Sequence, residues 1–191
     1  VGIKMKNKLA KTIRAISVPP IVVTIMAVAL FLLKITTLTE TLFLFLFLGF
    51  IPFLSYPLSF ILKKRSRDEV RKLAFIFSII SYTLGLFYSL FIDLSIELEI
   101  IYLTYFLSVL LLTFINKIIK VKASGHMTSI TGPLLISIYL IGFKSIFITL
   151  ALYILVFWSS LYLKRHTKRE MILGTLTVLI SFLLANIIYM F

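Results

Sequence analysis

The sequence predicts an all-α, polytopic transmembrane helical bundle of about seven spans, and three observations carry that expectation. Hydrophobic residues make up 61% of the 191-residue chain, well above the roughly half that is usual for a soluble domain. The 20 lysines and arginines outnumber the 7 acidic residues, for a formal net charge of +13, and they are gathered in clusters. Between the clusters run apolar stretches of about 17 to 25 residues, the length that crosses a hydrocarbon core. The clusters are therefore expected to be loops and the stretches spans.

The first span is expected at residues 16 to 34, after a tail carrying Lys4, Lys6, Lys8, Lys11 and Arg14. A basic tail before an apolar run resembles a signal peptide, but no small-residue cleavage site follows "FLLKITTLTE", so the span is read as uncleaved. The second, 41 to 62, contains Pro52 and Pro57, and the third covers 73 to 92. The fourth, 99 to 116, leads through "KASGHMTSITGP" into the fifth, 127 to 143, which contains Gly132 and Pro133. The sixth covers 145 to 163 and the seventh 171 to 191. All seven are expected to be helices, kinked at the prolines, because lipid offers no partner for an open strand edge. No internal repeat, low-complexity tract or soluble domain interrupts them, so residues 1–191 are read as one domain.

Charge orients the bundle. With seven spans, the tail and the loops after spans two, four and six share one side, and 18 of the 20 cations lie there. Only Lys34 and Lys144 lie opposite, with Glu40, Asp93, Glu97 and Glu99. The positive-inside rule makes the crowded side cytoplasmic, with the N-terminus inside a cell membrane. The absence of cysteine excludes disulfides and thiolate metal sites.

Chemistry is concentrated on that same side, where both histidines open spans. A first helical turn leaves N–H groups without partners at the positive end of the macrodipole, which makes it an anion site. In "KASGHMTS", Ser124 and Gly125 offer backbone amides, Lys122 adds charge, and His126 follows. The alternative is a serine N-cap with a glycine in the connection. In "LKRHTKREMILG", His166 and Glu170 stand one helical turn apart on one face, so the carboxylate can fix the ring tautomer and leave the other nitrogen as a nucleophile. Lys164, Arg165, Lys168 and Arg169 surround the pair, and head-group contact is the alternative role for them. The loop "LKKRSRDEVRKLAF" supplies further cations, either as a phosphate clamp or as a topogenic flank.

Taken in order, a basic loop, an "SGH" helix start, and a histidine followed four residues later by an acid resemble the type 2 phosphatidic acid phosphatase superfamily. The likeness is strongest to its small, divergent prokaryotic membrane branch, with patterns such as "K-x-S-G-H", "R-H-T-x-x-x-x-x-x-G" and the early "S-x-x-P-P" echoed by Ser17, Pro19 and Pro20. The resemblance implies a six-span helical core, here with one span more, and metal-independent, cofactor-free hydrolysis of a phosphate monoester or diphosphate. It implies His166 as nucleophile, Glu170 as its orienting partner in place of the usual aspartate, and His126 as the acid for the departing alcohol. Lys122, Ser124, Gly125, Lys64 and Arg71 would hold phosphate oxygens. Three positions depart from the pattern: Lys72 and Ala123 replace prolines, and Ser160 stands where an arginine is expected, six residues before His166. Losing one preorganised donor costs about 10²- to 10³-fold in rate, so either Arg165 or another nearby cation compensates or activity has decayed.

The sequence therefore predicts a membrane lipid phosphatase whose partners are a lipid phosphate and the bilayer, with no nucleic acid. A catalytically silent binder of anionic lipids, or a scaffold for another membrane enzyme, is the second reading. A transporter of anionic amphiphiles ranks third, because spans two to four and seven lack buried ionisable residues.

Overall fold

A computed structural model of the chain describes residues 2–63, 66–92 and 94–190. Eight helices follow one another: α1 (Gly2–Ile16), α2 (Pro19–Leu32), α3 (Leu38–Ile61), α4 (Arg67–Ser89), α5 (Ile96–Ile118), α6 (Gly125–Ile141), α7 (Ile146–Tyr162) and α8 (Lys168–Met190), with no strand among the described residues. Large apolar side chains cover the outside, such as Phe60, Phe147 and Ile188, while many serine and threonine hydroxyls are buried. Most of those hydroxyls return to a carbonyl one turn back, as Thr149 does to Ser145 and Ser181 to Thr177. This distribution suits a bundle in lipid, where polar atoms must be satisfied inside.

Each of the seven apolar stretches is helical, but seven full-length spans are not found. Five helices are long and apolar enough to cross a membrane, or six if α1 and α2, bent by 62° at their junction, count as one. The reason lies in what stops the helices. The Pro19–Pro20 start leaves α2 only 14 residues, about 21 Å of helix. Gly142, at φ 81°, ends α6 after 17 residues. The basic tail is itself α1, seated on α7 through Ala10 and Ile13, with Lys4, Lys8 and Lys11 exposed.

The expected kinks have specific forms. Ahead of Pro52, residues Phe45–Phe50 widen into a π-helical turn, which accommodates a ring that cannot donate to the carbonyl four residues back. Helices end at lysines in the left-handed region, Lys34, Lys63, Lys120 and Lys164, a place usually taken by glycine. A cation there meets the negative end of the helix dipole.

The central element is α6, which packs on α2, α5, α7 and α8. It contributes Ile136 to a core shared with α2 to α5 and Met127, Ile130 and Leu134 to a second core with α1, α7 and α8. Because α6 begins at Gly125, that packing carries His126 into the middle of the molecule at one end of the bundle.

Candidate functional site

The turn after α7 is built by local hydrogen bonds. Leu163 N–H donates to the Ser159 carbonyl (3.0 Å) and Arg165 N–H to that of Ser160 (3.0 Å), while Lys164 takes φ 51°. The chain then turns His166 inward, 7% exposed, and Thr167 caps α8 by accepting from Glu170 N–H at 3.2 Å. His166 Nδ1 meets Glu170 Oε2 at 2.7 Å, and the second carboxylate oxygen meets Lys122 Nζ at 3.2 Å. The carboxylate thus joins the histidine to the cation that precedes α6.

Three further bonds lock that junction. Ser124 N–H donates to the Glu170 carbonyl (2.9 Å), the Thr128 hydroxyl to the Gly174 carbonyl (3.0 Å), and Ala123 N–H to Asn116 Oδ1 at the end of α5 (2.9 Å). Gly174 is required for it, because a Cβ there would collide with the Ser124 carbonyl.

Burial pulls the His166 imidazole below the ordinary histidine value of 6.5; the Glu170 hydrogen bond opposes this, and the fields of Arg71 and Arg14 add to the lowering. The ring is therefore neutral near pH 7. Its Nδ1–H donates to Glu170, leaving the lone pair on Nε2.

His166 and His126 line one cavity of about 670 Å³, together with Gly125, Lys122, Arg71 and Arg14. Lys72 and Lys117 join the same wall, so the position expected to be proline supplies a cation instead. Glu170 lies behind His166 and Lys122 as their shared partner. Arg71 is partly exposed, with Asp68 at 3.8 Å.

Two expected phosphate ligands are placed otherwise. Ser124 is fully buried, its hydroxyl accepts from Met127 N–H (3.3 Å) as an N-cap, and its own N–H is occupied by Glu170. The capping alternative is the one realised. Arg165 is exposed and absent from the cavity wall, because the bond from its amide to Ser160 sets it on the outer side of the turn. Lys64 lies outside the described residues.

Arg14 is the site residue that sequence reasoning missed. Its Nη1 donates to Ser160 Oγ at 2.6 Å across 146 residues of sequence, and its side chain lines the cavity. A guanidinium carried by α1 therefore lies beside Ser160, the position where the resemblance led an arginine to be expected. The only signal in the sequence was the vacancy itself, Ser160, with Arg14 as the last tail cation before the Pro19–Pro20 break.

Among the described residues, no cluster of three or more histidine or acidic side chains is spaced to hold a metal ion. A scan against protein-family models and searches of curated proteins and of solved structures each return no match for this chain.

Proposed function

We propose that the chain is a membrane-embedded lipid phosphate phosphatase working through a phosphohistidine, with no metal in the reaction. The observation that carries this reading is the oriented His166–Glu170 pair at 2.7 Å on a cavity that also holds His126 and at least three cations. Phosphoryl transfer needs alignment and neutralisation of charge above all. Arg14, Arg71 and Lys122 hold the phosphate oxygens. His166 Nε2 attacks phosphorus, the N–P bond forms, and the P–O bond to the alcohol breaks as His126 gives that oxygen its proton. Water then attacks the phosphohistidine, His126 takes back a proton, and the N–P bond breaks to release phosphate and restore neutral His166.

The same proposal has seven crossings with the N-terminus and the site on the cytoplasmic face. It is supported by the 18 cations that seven crossings put on one side and by the convergence of cations from α1, α4 and the segment before α6 around one cavity. A reporter fused before Val1 is expected to behave as cytoplasmic and one after Phe191 as external. Both on one side would remove a crossing.

The departures at Lys72, Ala123 and Ser160 favour a second reading, a silent binder of anionic lipids. Phosphate release from a panel of lipid phosphates in detergent separates the two. The phosphatase is expected to release phosphate, to be inhibited by vanadate, and to ignore chelators. Lipid phosphate binding that weakens steeply with salt, without any release, would leave the silent binder.

A further inference from the structure

The first helix presents two uncovered strips of opposite character. Ala10 and Ile13, 0% and 8% exposed, form the strip docked on α7, with Ile13 in the core that Val156 shares. Lys6 lies on this docked side one turn before Ala10 and is exposed. Roughly 70° round the helix from the docked strip, Arg14 leaves for the cavity and Ser160. About 100° to its other side stand Met5, Leu9 and Ile16, exposed by 68%, 53% and 59%. About 100° further on are Lys4, Lys8 and Lys11, all exposed.

Ser160 fixes the level at which α1 lies. It belongs to the last turn of α7, so the Arg14–Ser160 bond holds α1 at one end of the bundle. There the Pro19–Pro20 break turns α1 away from the direction of α2 by 62°. Exposed lysines are costly in hydrocarbon, and a row of large apolar side chains is equally out of place in water. A strip of each kind, side by side on one helix, fits a boundary with acyl chains on one side and head groups on the other. Residues 1 to 39 hold no acidic side chain, so the charge on this helix is wholly positive and an anionic surface is its complement.

We propose that α1 is an interfacial helix seated on an anionic leaflet, with Met5, Leu9 and Ile16 among the first acyl carbons and Lys4, Lys8 and Lys11 on lipid phosphates. Arg14 departs from the same helix, so seating α1 on lipid also steadies the guanidinium against Ser160. The lipid contact stands apart from the phosphatase reading, and only its effect on turnover rests on that reading. Each lysine near an anionic surface favours the seated helix by about fivefold, and three by roughly 100-fold together. That factor turns an even balance of seated and loose α1 into an almost wholly seated one.

The chain has no cysteine, so a single spin label can be placed by Leu9→Cys or by Lys8→Cys. The full labelled chain is reconstituted in bilayers of dioleoylphosphatidylcholine, alone or mixed with dioleoylphosphatidylglycerol. In the mixed bilayer the Leu9 label is expected to collide with oxygen dissolved in lipid in preference to a water-soluble nickel chelate, and the Lys8 label the reverse. Changing Lys4, Lys8 and Lys11 together to glutamine is expected to raise the nickel exposure of the Leu9 label by about threefold or more, and so is omitting the anionic lipid. Equal nickel exposure of the two labels, or a Leu9 label indifferent to both the lysines and the lipid charge, overturns the proposal. Spin–spin broadening between Leu9 labels that fades on dilution with unlabelled chain assigns the strip to a second copy and overturns it too. Phosphate release is read in the same bilayers. The wild type is expected to be about threefold or more faster in the mixed bilayer, and the triple lysine variant to lose that gain while keeping the rate of the neutral bilayer. A rate indifferent to lipid charge, with the labels behaving as expected, overturns the link to Arg14 and supports the lipid contact. If nothing is hydrolysed in either bilayer, the phosphatase reading fails by itself and the labels still decide the contact.

Discussion

Between α2 and α3, at residues 33 to 41, and again between α7 and α8, at residues 163 to 171, the chain makes the same turn 130 positions apart. Leu33 and Leu163 N–H donate four residues back, both at 3.0 Å; Lys34 and Lys164 N–H donate three back, both at 2.9 Å; and Ile35 and Arg165 close the turn on Leu30 and Ser160. Thr37 and Thr167 cap the next helix, each accepting from a glutamate N–H at 3.2 Å. Position by position, the buried residues correspond as well: Leu30 with Ser160, Thr36 with His166, Thr41 with Met171, Leu44 with Gly174.

What differs is where the glutamate points. Glu40 folds back onto Thr37, its Oε2 accepting from the backbone N–H at 2.8 Å and the hydroxyl at 2.9 Å, a complete capping box. Glu170 meets His166 and Lys122 instead. A turn that helps only to start a helix becomes a candidate catalytic turn once the buried position carries an imidazole and a cation arrives from another element. No repeat is visible along the sequence, because the recurrence is one of hydrogen bonds and burial with few identical residues.

The largest expected effect is on the buried position. His166→Thr, which gives the second turn the side chain of the first, is expected to cut phosphate release by about 10³-fold or more with folding retained. Release at near wild-type rates would break the comparison and remove the phosphohistidine. Next is the position that differs as Leu30 and Ser160. Arg14→Ala is expected to lower kcat/KM by about 10²- to 10³-fold, the usual cost of one preorganised charge donor. An equal loss on neutralising exposed Lys4 or Lys8 would show that the tail acts only through its charge.

The glutamates provide the third contrast, and here pH gives the sign. In the proposed reaction His166 attacks as the neutral imidazole, and its pKa is lowered below 6.5, so kcat/KM is expected to be flat near pH 7 and to fall as the pH drops through a value under 6.5. Glu170 opposes that lowering, so Glu170→Gln is expected to move the acid limb to lower pH as well as to reduce the rate. Arg71→Gln removes a lowering influence and is expected to move the limb upward. Glu40→Gln is expected to leave the profile in place and to cost stability of about 1 kcal/mol through the cap alone. Shifts of one sign for Glu170→Gln and Arg71→Gln would contradict the assignment.

Two smaller effects concern packing. Gly174→Ala sets a Cβ against the Ser124 carbonyl and is expected to destabilise by about 1 to 3 kcal/mol, read as a lower Tm. Leu44, at the matching place, already has a side chain because no foreign backbone crosses there. Lys34→Gly and Lys164→Gly each relieve a left-handed non-glycine residue and are expected to change stability by about 1 kcal/mol or less, equally at both turns. Unequal responses would show that one lysine holds a contact the other lacks.

The helices, the clustering of cations and the His166–Glu170 pair were legible in the sequence because each rests on short-range rules: the length of apolar runs, charge at the borders, and neighbours four apart on one helix face. That an arginine was expected at Ser160 came from the family resemblance and not from any short-range rule. Tertiary structure alone decided which cation fills that place, because Arg14 reaches Ser160 across 146 residues, a contact fixed by how α1 bends onto α7. It likewise decided that Ser124 is a cap, since its amide is committed only once α8 docks. Hydropathy marks a stretch as apolar, but the span count turned on where Pro19 begins one helix and Gly142 ends another. Local hydrogen bonds and periodicity are encoded within a turn or two of chain. The partners of a buried polar group depend on which helix is packed beside it.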